Sequence, residues 1–466
     1  MDIVMTFSWL GVLLLIGVLL RAFVKPLGNI LMPACVIAGL VGFIFLNIAS
    51  PDLQGTLGFT PEACSEIVGP FFTFTFISMG LTNVPKGEGV NSSKEVVKGS
   101  IGMGCVWNIL YTVQPFVGYG ILLLIGGMFA IDPKYGLMVP FGFDHGPGQA
   151  ATFGAIMEEN GMAGAQQVAL CFAVIGFLLA FGVGVPLAKY GLKKGLACYP
   201  KEIDRTIKVG LFKKEEQKEV AGMNTTYNGN IDSLALCVAL IGFCYVICMP
   251  IGDFLMSTSN QFLQIFGSMQ FFIGMIIAWI VRFIMNKLNI KQYHDDGLQT
   301  RITGFTTDFM IVAAFASIQL SVVGKWMAPI IIVSLIAGLV TFAICLFFAS
   351  RIGGYFDFER FLGLWGSATG TCPSGIALIR IVDPELKTTA ASEMGSMNMV
   401  MFVDSILVPL LISYANDGIQ MSTLILWFVG IAAASLAFSL FTGNVKRKPT
   451  FNLLKGEKYV KHLESN

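Results

Sequence analysis

Apolar runs broken by polar residues or by Pro and Gly recur along the whole chain. They fall at about residues 5–20, 30–48, 66–83, 100–130, 164–187, 233–256, 262–284, 305–322, 326–349, 395–415 and 421–442. A bilayer core of roughly 30 Å takes about 20 helical residues to cross, so each run predicts one membrane-spanning helix and the chain predicts eleven. The run 100–130 exceeds one crossing, and Gln114-Pro115 is expected to kink it. Two further stretches resist this reading. Residues 137–158 hold Pro140, Asp144, His145 and Pro147 among glycines, and residues 362–382 hold Ser367, Thr369, Thr371, Pro373 and Ser374. Irregular, polar backbone at membrane depth persists only where protein or a water-filled cavity satisfies its N–H and C=O groups, so both are read as re-entrant hairpins.

Composition agrees. Of 466 residues 55% are hydrophobic and 13% charged, with net charge +1 and mean hydropathy +0.73. A soluble enzyme, a nucleic-acid binder and a disordered chain are excluded by those figures, leaving an all-α polytopic membrane protein. The ten cysteines are scattered, and Cys244 and Cys248, at helical spacing, are expected to pack rather than to bind metal. The N-terminus carries Asp2 instead of a basic segment, so residues 5–20 read as a retained first span and not as a cleaved signal.

Charge supplies the topology. With the N-terminus outside, each span flipping the side and each hairpin returning to the face it entered from, 28 of the 30 Lys and Arg fall on the inner face. Only Lys134 and Lys325 fall outside, and the C-terminus is cytoplasmic. The sorting exposes a symmetry: spans one to five start outside, spans six to ten start inside, and each set has its hairpin between its fourth and fifth members. The predicted organisation is a first inverted repeat over 1–187, a charged cytoplasmic linker over 188–232, a second inverted repeat over 233–416, and an eleventh span with a basic tail over 417–466. Phe76-Ile77-Ser78-Met79-Gly80-Leu81 echoes Phe315-Ala316-Ser317-Ile318-Gln319-Leu320 at matching places in the two halves. Inverted repeats with broken elements near the midplane are a secondary-transporter arrangement. The sequons at Asn91 and Asn224 lie on the inner face and are expected to stay unglycosylated.

The candidate chemistry sits where the spans break. In the first hairpin Asp144 and His145 are followed by Gly146, Pro147, Gly148 and Gln149. Ionisable groups at membrane depth are costly, which points to function, the alternative being a glycine-rich turn at the outer rim with its charges in water. Half-helix N-termini at such a tip suit a carboxylate, and free carbonyl and side-chain oxygens suit a small hard cation. The second hairpin carries Thr369, Gly370, Thr371, Pro373 and Ser374, whose hydroxyls serve either a cation and solute or ordinary helix packing. Asp404 falls about halfway along the tenth run, too deep for a short side chain to reach water, and Asp308 and Arg380 are weaker candidates. No G-x-x-x-x-G-K-[ST] motif is present, so concentrative transport would draw on an ion gradient and the membrane potential.

These segments resemble the glutamate:sodium symporter family of bacterial secondary transporters. The resemblance rests on His145-Gly146-x-Gly148-x-Ala150, on Gly184-x-Pro186-x-Ala188-x-Tyr190, on Gly370-Thr371-x-Pro373 with Ile376-Ala377, on Phe402-x-Asp404, and on Phe71–Leu81. It implies a sodium-coupled symporter of glutamate or a related small carboxylate or amino acid, working as an elevator in a homodimer in the plasma or cell inner membrane, with sodium as the coupling ion. The chain departs from the family pattern at Asp144, Pro147, Gln149, Leu378 and Leu407, and extends beyond it over 417–466. The solute is then assigned to Asp144, His145, Gly146, Gly148, Gln149, Gly370, Thr371, Pro373 and Ser374, and sodium to Asp404, Thr369 and Thr371. An uncoupled channel or facilitator, or a symporter of another solute on another cation, is the alternative. With three His in the chain and only one of them, His145, in a hairpin, an intramembrane enzyme is not expected.

Overall fold

The computed structural model describes residues 3–82, 93–198, 209–212, 214, 220–227, 229–258, 260–383, 388–397, 400 and 403–459. Among them the chain is almost entirely helical. The helices are α1 (Ile3–Phe23), α2 (Lys25–Ile30), α3 (Ala34–Ile48), α4 (Pro51–Leu57), α5 (Pro61–Leu81), α6 (Ser93–Phe129), α7 (Val139–Phe143), α8 (Pro147–Glu159) and α9 (Ala165–Lys194). They continue as α10 (Ser233–Met256), α11 (Gln261–Ser268), α12 (Gln270–Lys287), α13 (Asp296–Ala316), α14 (Leu320–Val323), α15 (Met327–Ala349), α16 (Asp357–Thr369), α17 (Cys372–Val382), α18 (Ala390–Met397), α19 (Asp404–Ala415) and α20 (Met421–Phe441). Two short strands, β1 (Phe451–Asn452) and β2 (Glu457–Lys458), pair antiparallel after α20.

Eight stretches are long and apolar enough to cross a membrane: α1, α5, α6, α9, α10, α12, the α14–α15 stretch and α20. This is a multi-pass membrane protein. Two predicted spans differ in detail. The second is shortened to α3 because Leu31 takes a left-handed φ of 57° and Pro33 starts the helix anew. The eighth starts earlier than its apolar run: the Asp295 side chain accepts from Leu298 N–H and caps α13, whose first turns are polar. The tenth is described only in part, over α18 and α19, and residues 398–399 and 401–402 between them lie outside the described residues. Pro115 lies within α6, which continues through it as one helix.

The chain forms two compact units. One comprises Met1–Arg21, Pro33–Pro85 and Gly210–Gln319. Its core is built by Ile77, Leu81, Cys237, Ile241, Cys244, Cys248, Ile273 and Ile277, so Cys244 and Cys248 serve packing. Hydroxyls join its helices: Ser78 accepts from Gln299 Nε2 (2.7 Å) and Thr303 Oγ1 (2.7 Å), and Thr75 donates to Thr306 (2.8 Å). Asp308 and Cys35 are side-chain hydrogen-bond partners in this unit. Of the two echoed segments, Phe76–Leu81 closes α5, whereas 315–320 starts at the last two residues of α13 and runs on into α14.

The other unit comprises Ala22–Met32, Lys86–Val209 and Leu320–Asn466. Here α6 packs against α15, α18 and α20, while α7, α8, α16 and α17 all pack against α9. The units thus interleave the sequence. Three long segments before the linker (α1, α3, α5) and three after it (α10, α12, α13) build the first unit. Two long helices before the linker (α6, α9), the segments α15, α18, α19 and α20 after it, and both broken elements build the second.

Candidate functional site

Both broken elements fold as helix–turn–helix hairpins in the second unit. In the first, α7 ends at Phe143 and α8 begins at Pro147, with Asp144, His145 and Gly146 forming the turn. Proline at the first position of α8 costs no hydrogen bond, since that N–H has no partner inside a helix. In the second, α16 ends at Thr369 and α17 begins at Cys372, with Gly370 and Thr371 between. Each turn therefore presents the N-terminus of the helix that follows it, α8 or α17, whose first N–H groups lack intrahelical acceptors and whose dipole end is positive.

The two turns meet. Gly146 adopts φ 79° and ψ −171°, a conformation open to glycine and costly to other residues. A β-carbon placed there would run into Thr371 Cγ2 and come within 2.9 Å of the Gly370 carbonyl oxygen. Glycine is required twice over, by backbone angle and by contact. Behind them, Gly176 of α9 leaves room for the Thr369 carbonyl and the Phe143 ring, so both hairpins lean on one helix.

Asp144 is buried, and its Oδ1 accepts a hydrogen bond from Gln114 Nε2 at 3.2 Å. The same nitrogen lies 3.1 Å from Thr341 Oγ1 and 3.2 Å from the Ala368 carbonyl. Gln114 of α6 therefore ties the first turn to the second hairpin and to α15. An amide nitrogen has two hydrogens for these three acceptors. Gln114 Oε1 and Ser367 Oγ are buried with no hydrogen-bond partner among the described residues. Oxygen thus outnumbers donors around Asp144 and Ala368.

His145 sits in an aromatic frame, edge-on to Trp107 (5.4 Å), Tyr111 (5.0 Å) and Phe153 (5.9 Å), and its side chain is hydrogen-bonded with Gln149. The Trp107 indole N–H is buried with no hydrogen-bond partner among the described residues. In the second turn Thr371 Oγ1 and Ser374 Oγ lie 3.1 Å apart, with Ser374 buried and Pro373 exposed.

Of the residues singled out from sequence, Asp144, His145, Gly146, Gly370 and Thr371 thus lie on two abutting turns, and Gly148, Gln149 and Ser374 in the first turns of the helices that follow them. Others are placed differently. Thr369 donates to the Trp365 carbonyl (2.6 Å) one turn back in its own helix, which occupies its hydroxyl proton. Arg380 is exposed at the far end of α17. Asp404 is the first residue of α19, a position that acidic residues favour, and its side chain lies outside the described residues, as do residues 401–402.

Sequence reasoning passed over Trp107, Tyr111, Gln114 and Thr341. The first three are spaced i, i+4 and i+7 on α6, which puts them on one helix face. That polar and aromatic stripe on an apolar helix was the available signal. It also passed over Arg360, which was counted with the loop charges. Arg360 is buried in α16, where it makes two hydrogen bonds to Glu393 (2.7 and 2.6 Å) and one to Asp357 (2.8 Å), and so fixes the base of the second hairpin.

Comparison with known proteins follows the same lines. Neither a search of curated proteins nor a search of solved structures returns a match. Residues 1–384, which take in the first hairpin, α16 and α17, match the family model described as sodium/glutamate symporter. That family is one of transporters and not of enzymes. A multi-pass helical chain with two abutting hairpin turns, matched over most of its length, belongs to the sodium/glutamate symporter family.

Proposed function

We propose that the protein is a sodium-driven symporter of glutamate or a closely related small carboxylate, bound where the turns of the two hairpins meet. The observation that carries this is the contact of Gly146 with Gly370 and Thr371, which brings the N-termini of α8 and α17 to one place. Two positive helix ends with free N–H groups suit an anionic solute. The N–H groups of Gly148 and Gln149 on one side, and of Cys372 and Ser374 on the other, would hold the carboxylates, with Thr371 and Ser374 hydroxyls alongside. Sodium would be served by the oxygens around the turns: the Gly370 and Ala368 carbonyls, Thr371, Asp144, and Asp404 at the start of α19. Thr369 is the weakest of the sodium candidates, because its hydroxyl is already bonded to Trp365.

The interleaved units support the inverted-repeat reading, since corresponding segments of the two halves contribute to the same unit. In that reading the two hairpins are re-entrant and enter from opposite faces, the N-terminus is outside and the C-terminus cytoplasmic. The unit holding both hairpins would carry the solute as an elevator in a homodimer, in a plasma or cell inner membrane. Each sodium moved down 100 mV supplies about 2.3 kcal/mol, enough for concentration against a gradient.

Uptake of labelled glutamate into proteoliposomes, with and without an inward sodium gradient, tests the proposal. Sodium-dependent accumulation above equilibrium is expected. Equilibration without accumulation would instead identify a facilitator, and uptake that ignores sodium would remove the coupling ion. Competition by aspartate, neutral amino acids and dicarboxylates then sets the solute class.

A further inference from the structure

Beyond the family match, which ends at residue 384, the chain continues through α20 and then turns back on itself. Residues 446–459 lie along the base of the second hairpin. Lys446 N–H donates to the Arg351 carbonyl (2.8 Å), and Thr450 N–H to the Ser350 carbonyl (2.7 Å). The Thr450 hydroxyl donates to Asp357 Oδ2 at 2.7 Å, completing a carboxylate whose other partners are the Gly353 and Gly354 N–H groups and Arg360. Phe451 is buried against Phe358 (5.6 Å, edge-on) and Phe361 (6.2 Å) of α16. The β1–β2 turn then carries Lys458 over the Tyr355 ring and onto the Leu196 carbonyl and Cys198 Sγ, both at 3.0 Å. Cys198 N–H in turn donates to the buried Glu359 at 2.7 Å.

Apart from Leu196 and Cys198, which follow α9, these contacts fall on α16 or on the residues leading into it, and none is on the turn that meets Gly146. Asp357, Phe358, Glu359 and Phe361 are at the start of a helix of 13 residues, a rod of about 20 Å whose other end is Thr369. The tip of α16 is seated by Gln114 at the Ala368 carbonyl and by α9 at Thr369, and the contacts of residues 446–459 add a hold at its base. We propose that residues 446–459 form a strap that positions the second hairpin, holding α16 so that Gly370 and Thr371 stay seated against the first turn. Thr450 and Phe451 are positioning residues acting through Asp357, Phe358 and Phe361, and undocking of the strap loosens the tip.

The test reads the tip directly, and so stands or falls independently of which solute or ion is carried. Cys372, at the start of α17, is kept as the sole thiol of the full chain in lipid nanodiscs, with Cys198→Ser keeping an acceptor for Lys458, and its labelling rate with a small maleimide is measured. Thr450→Val removes, without changing size, the hydroxyl that donates between Asp357 and the Ser350 carbonyl, and Phe451→Ala empties the seat between Phe358 and Phe361. Both are expected to label Cys372 about five-fold faster or more, the factor corresponding to loss of a single ordinary hydrogen bond. Thr450→Ser, which keeps the hydroxyl, is expected to label at the wild-type rate. A parallel background keeping only Cys244, in the other unit, monitors general loosening, and its rate is expected to stay unchanged. Wild-type labelling of Cys372 in Thr450→Val, or an equal rise at Cys372 and Cys244, overturns the strap. If Phe451→Ala fails to fold, Thr450→Val against Thr450→Ser decides alone.

Discussion

In the first hairpin the acidic group stands at the turn: Asp144 is the residue after α7, held by a neutral amide from Gln114. In the second hairpin the turn has no charged residue, and the ionic groups Asp357 and Arg360 stand at the opposite end of α16, buried with Glu393. The two therefore solve the burial of charge in opposite ways. A carboxylate beside a solute or ion has to be able to change partners, and a neutral amide donor holds it less firmly than a buried guanidinium would. The carboxylates at the base of the second hairpin are fixed, Glu393 by two bonds from the buried Arg360 guanidinium and Asp357 by one. The difference separates a group suited to binding from groups suited to anchoring.

Four substitutions break or sharpen that contrast. The largest effect is expected at the anchor: Glu393→Gln leaves Arg360 short of its best-aligned partner and should cost about 3–5 kcal/mol, read as a lowered unfolding temperature of the purified protein. A loss under about 1 kcal/mol would place Arg360 with ordinary surface pairs. Gln114→Leu removes the bond from a neutral donor to the Asp144 carboxylate, worth roughly 1.5–3 kcal/mol. Sodium-driven uptake should fall at least ten-fold while unfolding shifts less than in Glu393→Gln; the opposite ranking would make Gln114 a structural tie only. Gly146→Ala forces an unfavourable backbone conformation, costing about 1–3 kcal/mol, and pushes the two turns apart, so solute affinity should fall while sodium-independent folding signals hold. Binding measured by scintillation proximity checks it, and unaltered affinity would detach the site from the point where the turns meet. The smallest effect is expected at Thr369→Val: its hydroxyl serves the Trp365 carbonyl, worth about 0.5–1.5 kcal/mol, so the half-saturating sodium concentration should stay within about three-fold of wild type. A larger rise would return Thr369 to the cation.

Much of this was legible before any coordinates. Apolar runs located the helices because lipid demands a fixed length of them, and Pro and Gly located both breaks because only buried backbone tolerates irregularity at depth. Boundaries were less legible where polarity and helicity part company, as at Asp296–Arg301, where a capped polar start extends α13. Within the site, the hairpin residues announced themselves by cost, since Asp144 and His145 are charges or dipoles in an apolar context. Gln114, Trp107 and Thr341 did not, because a single polar residue on a long apolar helix looks the same whether it faces a partner or a packing crevice.

What the sequence by itself determined was the class of the protein, the number and order of its apolar segments, and the two places where helices break. Those depend on local composition and on the bilayer as solvent, which act on each segment separately. What only the tertiary structure decided was which broken ends meet, that Gln114 joins Asp144 to Ala368, that Arg360 is an anchor and not a loop charge, and that the last residues return to the base of α16. These are contacts between segments separated by up to a few hundred residues, and no local pattern encodes which of many buried polar groups will find one another.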